Sequence, residues 1–197
     1  MGAGVTEPQQ ACDRTGTSEG INVCTAKKIN HEYLMSYAHP IQPYWNLSGI
    51  IPVSGRVIEW CVDLMGLSCF DDFFTMAQNS KEGSGFANSI LKEICFKIKN
   101  IIKKMEDSGA PIKELRVTGG LSKNKHLNQL KADITGIKII SPLHKEAELL
   151  GLAIIGFCFL GQFKSLAEAS ANLVQVSETY YPEPKRTELY TKMNFQK

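Results

Sequence analysis

Leu115-Arg116-Val117-Thr118-Gly119-Gly120-Leu121-Ser122-Lys123-Asn124 runs from a β-type segment through paired glycines into a helical pattern that continues to Asp133. The amides at a helix N-terminus lack intrahelical partners and carry the positive end of the helix dipole. Glycines beside them let backbone approach a ligand with no Cβ in the way. Gly119, Gly120 and Leu121 could therefore hold a flat ring such as a purine, with Asn124 bonding a ring edge or ribose. Equally, the stretch could be a ligand-free turn in which Ser122 caps the helix. It matches neither G-x-G-x-x-G nor G-x-x-x-x-G-K-[ST], which excludes a Rossmann fingerprint and a P-loop.

Working outward, Glu114 to Thr118 reads as a strand and Ile137 to Ile140 as the next. Glu146 to Leu160 reads as a buried apolar core helix, and Ser165 to Leu173 as a small one. Tyr180 to Arg186 is an extended polar tail before a last short helix. On the N-terminal side, Phe86 to Met105 is the longest helix, with Ile90, Ile94, Ile98, Ile101, Ile102 and Met105 on one face. Asn79 to Gly85 is a bare connector, Asp71 and Asp72 open a short helix, and Ser54 caps another that stops at Gly66. Three β-type runs, 21–25, 33–37 and 45–51, suggest an antiparallel meander. Residues 1–15 read as loop, and Gly16-Thr17-Ser18-Glu19-Gly20 as a turn whose amides and hydroxyls could take phosphate oxygens or simply close a hairpin. A meander followed by helix, strand, helix, strand, helix predicts an α/β fold, a mixed β-sheet flanked by helices.

Composition narrows the function classes. Of 197 residues, 43% are apolar and 21% charged, which suits a packed domain and excludes disorder throughout. The net charge is +2, and the nearest thing to a basic cluster, Lys97, Lys99, Lys103 and Lys104, reads as a solvated helix face, so no nucleic-acid partner is expected. No apolar run reaches the roughly 18–20 residues of a membrane helix, and Met1-Gly2-Ala3-Gly4 carries no secretory signal, so the expectation is a cytoplasmic protein with no membrane partner. The six cysteines form no C-x-x-C and read as reduced structural thiols. His31, His39, His126 and His144 lie at no metal-ligand spacing, so no metal site is assigned. Asp133 reads as a helix-end residue, Trp45 and Trp60 as core, and Glu59 shows no partner.

The local residues resemble the C-terminal domain of the FGGY carbohydrate kinases, of the actin/hexokinase/Hsp70 superfamily. The likeness is strongest from about 112 to 170. It runs through Leu115 to Asn124, Asn128-Gln129-Leu130-Lys131-Ala132-Asp133, Glu146-Ala147-Glu148-Leu149-Leu150-Gly151-Leu152-Ala153 and Gly161-Gln162-Phe163-Lys164. Gly16-Thr17-Ser18 sits where that family has its second phosphate motif. The resemblance implies a ribonuclease H-like, actin-type ATPase lobe over residues 1–197. It implies adenosine at Gly119, Gly120, Leu121 and Asn124, phosphates at Gly16, Thr17 and Ser18, and ATP or ADP with Mg2+ in the complete enzyme. Such enzymes transfer the γ-phosphoryl group to a hydroxyl of a small carbohydrate, a xylulokinase-like pentulose being the first expectation, with glycerol and hexuloses next. A homodimer is compatible with the resemblance.

Two departures are read against it. The family's catalytic aspartate and its N-terminal sugar-binding domain have no counterpart in these residues, so no catalytic residue is assigned and the chain alone is expected to be inactive. Asp13 lies too near the phosphate turn to serve as the base. The insertion that family members carry near residues 78–87 is replaced here by the bare connector. The alternative reading is a non-catalytic actin-fold binding or interaction module, or a trimmed fragment.

Overall fold

The computed structural model describes residues 1–79 and 85–194. The expected connector therefore lies, apart from its two ends, outside the described residues. Seven strands form one mixed sheet, in the order β3-β4-β2-β1-β5-β6-β7. They are β1 (Gln10–Thr15), β2 (Glu19–Thr25), β3 (Met35–Ala38), β4 (Trp45–Ile51), β5 (Glu114–Gly119), β6 (Lys138–Pro142) and β7 (Val176–Tyr180). The helices are α1 (Gly55–Leu64), α2 (Phe70–Asn79), α3 (Phe86–Asp107), α4 (Lys125–Thr135), α5 (Ala147–Phe159), α6 (Leu166–Leu173) and α7 (Pro184–Asn194). The expected mixed α/β sheet is what forms.

Three β readings need correction. Residues 10–15 are a strand, not loop, and β1 joins the two halves of the sheet, antiparallel to β2 and parallel to β5. The first three later strands are not a meander, because β4 lies between β2 and β3. The reason is burial: β4 is almost wholly covered, whereas β3 is mostly exposed and takes the edge. Gly49 makes the central place usable, since a Cβ there would stand 2.5 Å from Ile101 Cγ2 of the overlying α3. The third correction is β7, a strand in the unassigned stretch before the tail that ends on the tail's first residue, Tyr180. The following helix begins at Pro184, where a missing amide costs nothing.

One face of α3 fills the core as its spacing predicts. Ile94, Ile98, Ile102 and Met105 are buried there, with Ile90 and Ile101 packed beside them. Helix α5 does not behave as a core helix. Only Gly151 and Ile154 are buried, while Leu149, Leu152, Ile155, Phe159 and Leu160 face outward. Trp60 is also exposed, Trp45 is half-buried, and Glu59 has a partner, Arg56, at 3.0 Å. All six cysteines are free thiols. Burial raises those of Cys12 and Cys24 to about 11, which keeps them protonated and unreactive. Asp133 is buried at the end of α4, where it accepts from the Glu183 amide at 2.9 Å and pairs with Arg186.

Sequence reasoning does not reveal the charged cluster under the sheet. The Lys131 ammonium of α4 pairs with both Asp13 of β1 and Glu19 of β2, all three fully buried or nearly so. Glu19 also accepts from the Ser54 hydroxyl at 2.6 Å, so Ser54 serves this network and makes no side-chain cap on α1. Burial, then the neighbouring Glu19 charge, pushes the Asp13 carboxyl well above its ordinary range, and Lys131 only partly offsets this. Burial works against the Glu19 charge too, but Lys131 and the surrounding donors outweigh it and hold that carboxyl low. Burial also opposes the Lys131 charge, and the two acids more than compensate. Of the two acids that hold the Lys131 ammonium, Glu19 is therefore the more acidic and Asp13 the less.

Lys131→Met should cost about 3–5 kcal/mol in urea unfolding at pH 8, the usual loss when one partner of a buried ion pair is removed. Without the ammonium, both acids have folded pKa values above the unfolded ones of about 4. Their contribution is then favourable at low pH and lost as pH rises through the folded values. The deficit of the variant should therefore shrink at pH 5, and equal losses at both pH values would contradict the assignment.

Candidate nucleotide cleft

Strands β1 and β5 run parallel, with Thr15 opposite Gly119, so the turns that follow them leave the sheet at the same end. In open α/β sheets the carboxyl ends of parallel strands are where crevices for ligands open. Gly119 has a φ of +84°, and a Cβ on it would lie 2.0 Å from the Thr15 carbonyl oxygen. Its glycine is thus demanded by backbone shape and by the neighbouring strand. Gly120 differs: a Cβ there would meet nothing within 4 Å, and its φ is not in the left-handed region. Of the two glycines, Gly120 is the one that faces open space.

The Thr15 hydroxyl ties the two turns together. It donates to the Thr118 carbonyl at 2.7 Å and accepts from the Ser122 amide at 3.2 Å. Residues Gly120–Lys123 form a 3₁₀ turn, within which the Ser122 hydroxyl donates to the Gly119 carbonyl at 2.7 Å. Ser122 therefore does not cap the next helix. Asn124 does, its Oδ1 accepting from the Leu127 amide at 2.9 Å. That use of Oδ1 leaves the amide nitrogen of Asn124 as its end for a ligand.

The first turn is closed by the Gly16 amide bonding the Ser18 carbonyl at 3.0 Å. Its other carbonyls face the start of α1. The Ser54 and Arg56 amides donate to the Thr17 carbonyl, and the Gly55 amide to that of Gly16. Gly55 is required for this contact, since a Cβ would stand 2.4 Å from the Gly16 oxygen. The N-terminal amides of α1 are thus already used, and an anion here would meet the hydroxyls and remaining amides of the turn itself.

Between the two turns lies a cleft of about 460 Å³, a volume suited to a small-molecule ligand. Gly16, Thr17, Gly120, Leu121 and Asn124 line it, whereas Ser18 and Gly119 are not among its lining residues. The opposite wall is not legible in the sequence: it consists of Gly55 and Glu59 of α1 and of Phe70, Asp71 and Phe74 of α2, with Lys123 at the rim. Gly55 directly after a polar Ser54 is its only sequence signal. A larger groove, about 870 Å³, runs between α3 and α7 past Lys92, Lys97, Lys99 and Lys103, and neither turn reaches it. Among the described residues no His, Cys, Asp and Glu cluster could hold a metal ion, and no helix is long and apolar enough to cross a membrane.

Three strands at the centre of the sheet, β1, β5 and β6, run parallel, and two glycine turns open from their ends onto one cleft. In comparison with known proteins, residues 70–159 match the C-terminal domain of the FGGY family of carbohydrate kinases. The human FGGY carbohydrate kinase domain-containing protein is 38% identical over 92 residues, 47% of this chain and 17% of the relative. A glycerol kinase of Paenarthrobacter aurescens is 26% identical over an alignment covering 87% of this chain and 42% of the relative. Among solved structures, the xylulose kinase of Lactobacillus acidophilus superposes with a TM-score of 0.86 at 19% identity, over 98% of this chain and 46% of the kinase. The glycerol kinase of Plasmodium falciparum, solved with ADP, gives 0.83 at 18% identity, over 99% and 48%. These structural likenesses establish the fold. The chain spans less than half the length of each of these relatives.

The two glycines should separate on mutation. Gly119→Ala should destabilise by at least about 2 kcal/mol, from left-handed strain combined with the clash on Thr15. Gly120→Ala should stay within about 0.5 kcal/mol of the parent. Thermal unfolding of both variants checks this, and an equal loss would refute the placement of Gly120 on open space.

Proposed function

We propose that the chain is the nucleotide-binding C-terminal lobe of an FGGY-type kinase that phosphorylates a hydroxyl of a small carbohydrate, with xylulose or another pentulose as the first candidate acceptor. The observation that carries this reading is the convergence of the Gly16–Thr17 turn and the Gly120–Asn124 turn on one cleft. In it, adenosine lies over Gly120 and Leu121, facing Phe70 and Phe74, with the Asn124 amide nitrogen at its edge. The phosphates run toward Gly16, Thr17 and Ser18, and Mg2+ enters as their counterion. Backbone amides and hydroxyls suit such work, because phosphoryl transfer is chiefly positioning and charge stabilisation.

The same reading leaves the chain alone without turnover. Asp13, the acid beside the phosphate turn, is fully buried and paired with Lys131, so it does not face the cleft and cannot take a proton from a substrate. A general base contributes roughly 10²–10⁴-fold, and positioning of the acceptor can contribute more. The alternative, a lobe that binds nucleotide without transferring phosphate, differs in the whole protein and not in this cleft.

An NMR titration with ADP should give a weak, roughly millimolar affinity, worth about 4 kcal/mol, with shifts grouped at residues 16–20 and 118–125. Gly120→Val should lower that affinity at least tenfold while keeping the fold, since its side chain would enter the space given to the ring. Asn124→Ala should cost about 1 kcal/mol of stability through the lost cap, in addition to any loss of affinity. Shifts confined to the 27–50 region, or Gly120→Val binding like the parent, would defeat the assignment. A coupled ADP-release assay across pentuloses, hexuloses and glycerol should stay flat for the chain alone, and sugar-dependent turnover of about 1 s⁻¹ would overturn the inactivity.

A further inference from the structure

Asp71 stands in the first turn of α2 and lines the cleft with Phe70 and Phe74, which lie one helical turn apart. The acids around it are committed. Asp72 accepts from the Ser68 amide at 3.0 Å, which ties it to the chain entering α2. Glu59, on the same wall, pairs with Arg56 at 3.0 Å. Asp71 is exposed, and among the described residues it makes no hydrogen bond or ion pair. An acid in a first turn is favoured by the helix dipole wherever its side chain points. The place in the cleft is what sets Asp71 apart. A bare carboxylate there opposes a polyanionic ligand unless a donor group of that ligand meets it.

Asn124 supplies the complement from the other wall. Its Oδ1 is held by the Leu127 amide, so what it offers the cleft is N–H. A carboxylate only accepts hydrogen bonds, and an amide nitrogen only donates them. A flat ligand that suits both presents a donor and an acceptor along its edge. Adenine does so, its exocyclic amino group lying beside ring nitrogens that accept. Phe70, Phe74 and the bare backbone at Gly120 leave the faces of a ring to apolar contact, so the groups on its edge carry the discrimination.

We propose that Asp71 is the base-selecting residue of the cleft, its carboxylate accepting a hydrogen bond from the exocyclic amino group of adenine. The proposal rests on the nucleotide reading above and adds to it a residue that neither glycine turn contains. It also accounts for an unpaired acid in a cleft that has to admit phosphates. In that reading the phosphates run toward Gly16 and Thr17, and the carboxylate meets the uncharged end of the ligand. Glu59 would first have to leave Arg56 to do the same.

The test is an NMR titration of the full chain with ADP and with purine riboside 5′-diphosphate, which differs from ADP by the missing amino group alone. The parent should bind ADP about fivefold more tightly, the scale of one hydrogen bond. In Asp71→Ala the two ligands should bind alike. Asp71→Asn, whose amide oxygen still accepts, should keep a preference of about twofold. Thermal unfolding should show both variants as stable as the parent, because Asp71 is exposed. The cycle isolates the contact between residue 71 and the amino group, which a merely structural acid would not produce. A parent without preference, a preference unchanged in Asp71→Ala, or tighter binding of GDP than of ADP would overturn the proposal. Where ADP still shifts residues 16–20 and 118–125, such a result defeats the role of Asp71 alone. Where ADP shifts neither group, the nucleotide reading fails and the selection with it.

Discussion

The contact of Thr15 with Gly119 holds the two glycine turns of the cleft in register. Parallel strands lie about 4.8 Å apart, and here the spacing is locked at the strand ends, where no side chain fits between the Thr15 carbonyl and residue 119. The Thr15 hydroxyl then spans the Thr118 carbonyl and the Ser122 amide, so the start of the 3₁₀ turn is hung from β1 as well as from β5. The separation of the two turns is therefore a property of the sheet. Loops of the same composition on non-adjacent strands would have no fixed relation to each other.

The Lys131 network lies on the same face of β1 as the Thr15 side chain, Asp13 being two residues before it on the strand. It connects β1, β2, α4 and, through Ser54, the start of α1. Helix α1 in turn points its first amides at the carbonyls of Gly16 and Thr17. A buried ion pair is seldom worth more than the apolar packing it replaces. Its value here is geometric: four elements that surround the first turn meet at one buried set of polar groups, in which Lys131 bonds one oxygen of Asp13 and one of Glu19, Ser54 bonds the other oxygen of Glu19, and Asp13 Oδ1 has no partner.

Legibility in the sequence follows the range of the forces involved. Helix α3, strands β4, β5 and β6 and the Gly-Gly turn announce themselves through local periodicity and glycine placement. Strand β1 does not, because Asp13 looks like a loop residue until Lys131, 118 positions away, is seen to neutralise its surroundings. The place of β4 between β2 and β3 is equally non-local, depending on how α3 settles over Gly49. Helix α5 misleads because composition records how apolar a segment is and not what covers it. In the cleft, the two turns are legible from their glycines, and the α1–α2 wall is not, since Phe70 and Phe74 carry the same signal as any core aromatic.

Charge decides what such a half-cleft can hold. Its lining contains Glu59, Asp71 and Lys123, and Glu59 is already paired with Arg56. What remains is close to neutral, with an aromatic and glycine-floored section at one end and a hydroxyl-bearing turn at the other. The amides of α1, which would otherwise be free to meet a phosphate, are spent on the carbonyls of Gly16 and Thr17. A site of this kind favours the uncharged ring end of a nucleotide and offers little against the several negative charges of a polyphosphate. In the kinase reading, the positive charge for the phosphates has to come from the accompanying cation and from groups beyond this lobe. The lobe's own contribution is to fix where the ring sits and where the first turn stands, which is the part that a rigid sheet end can supply.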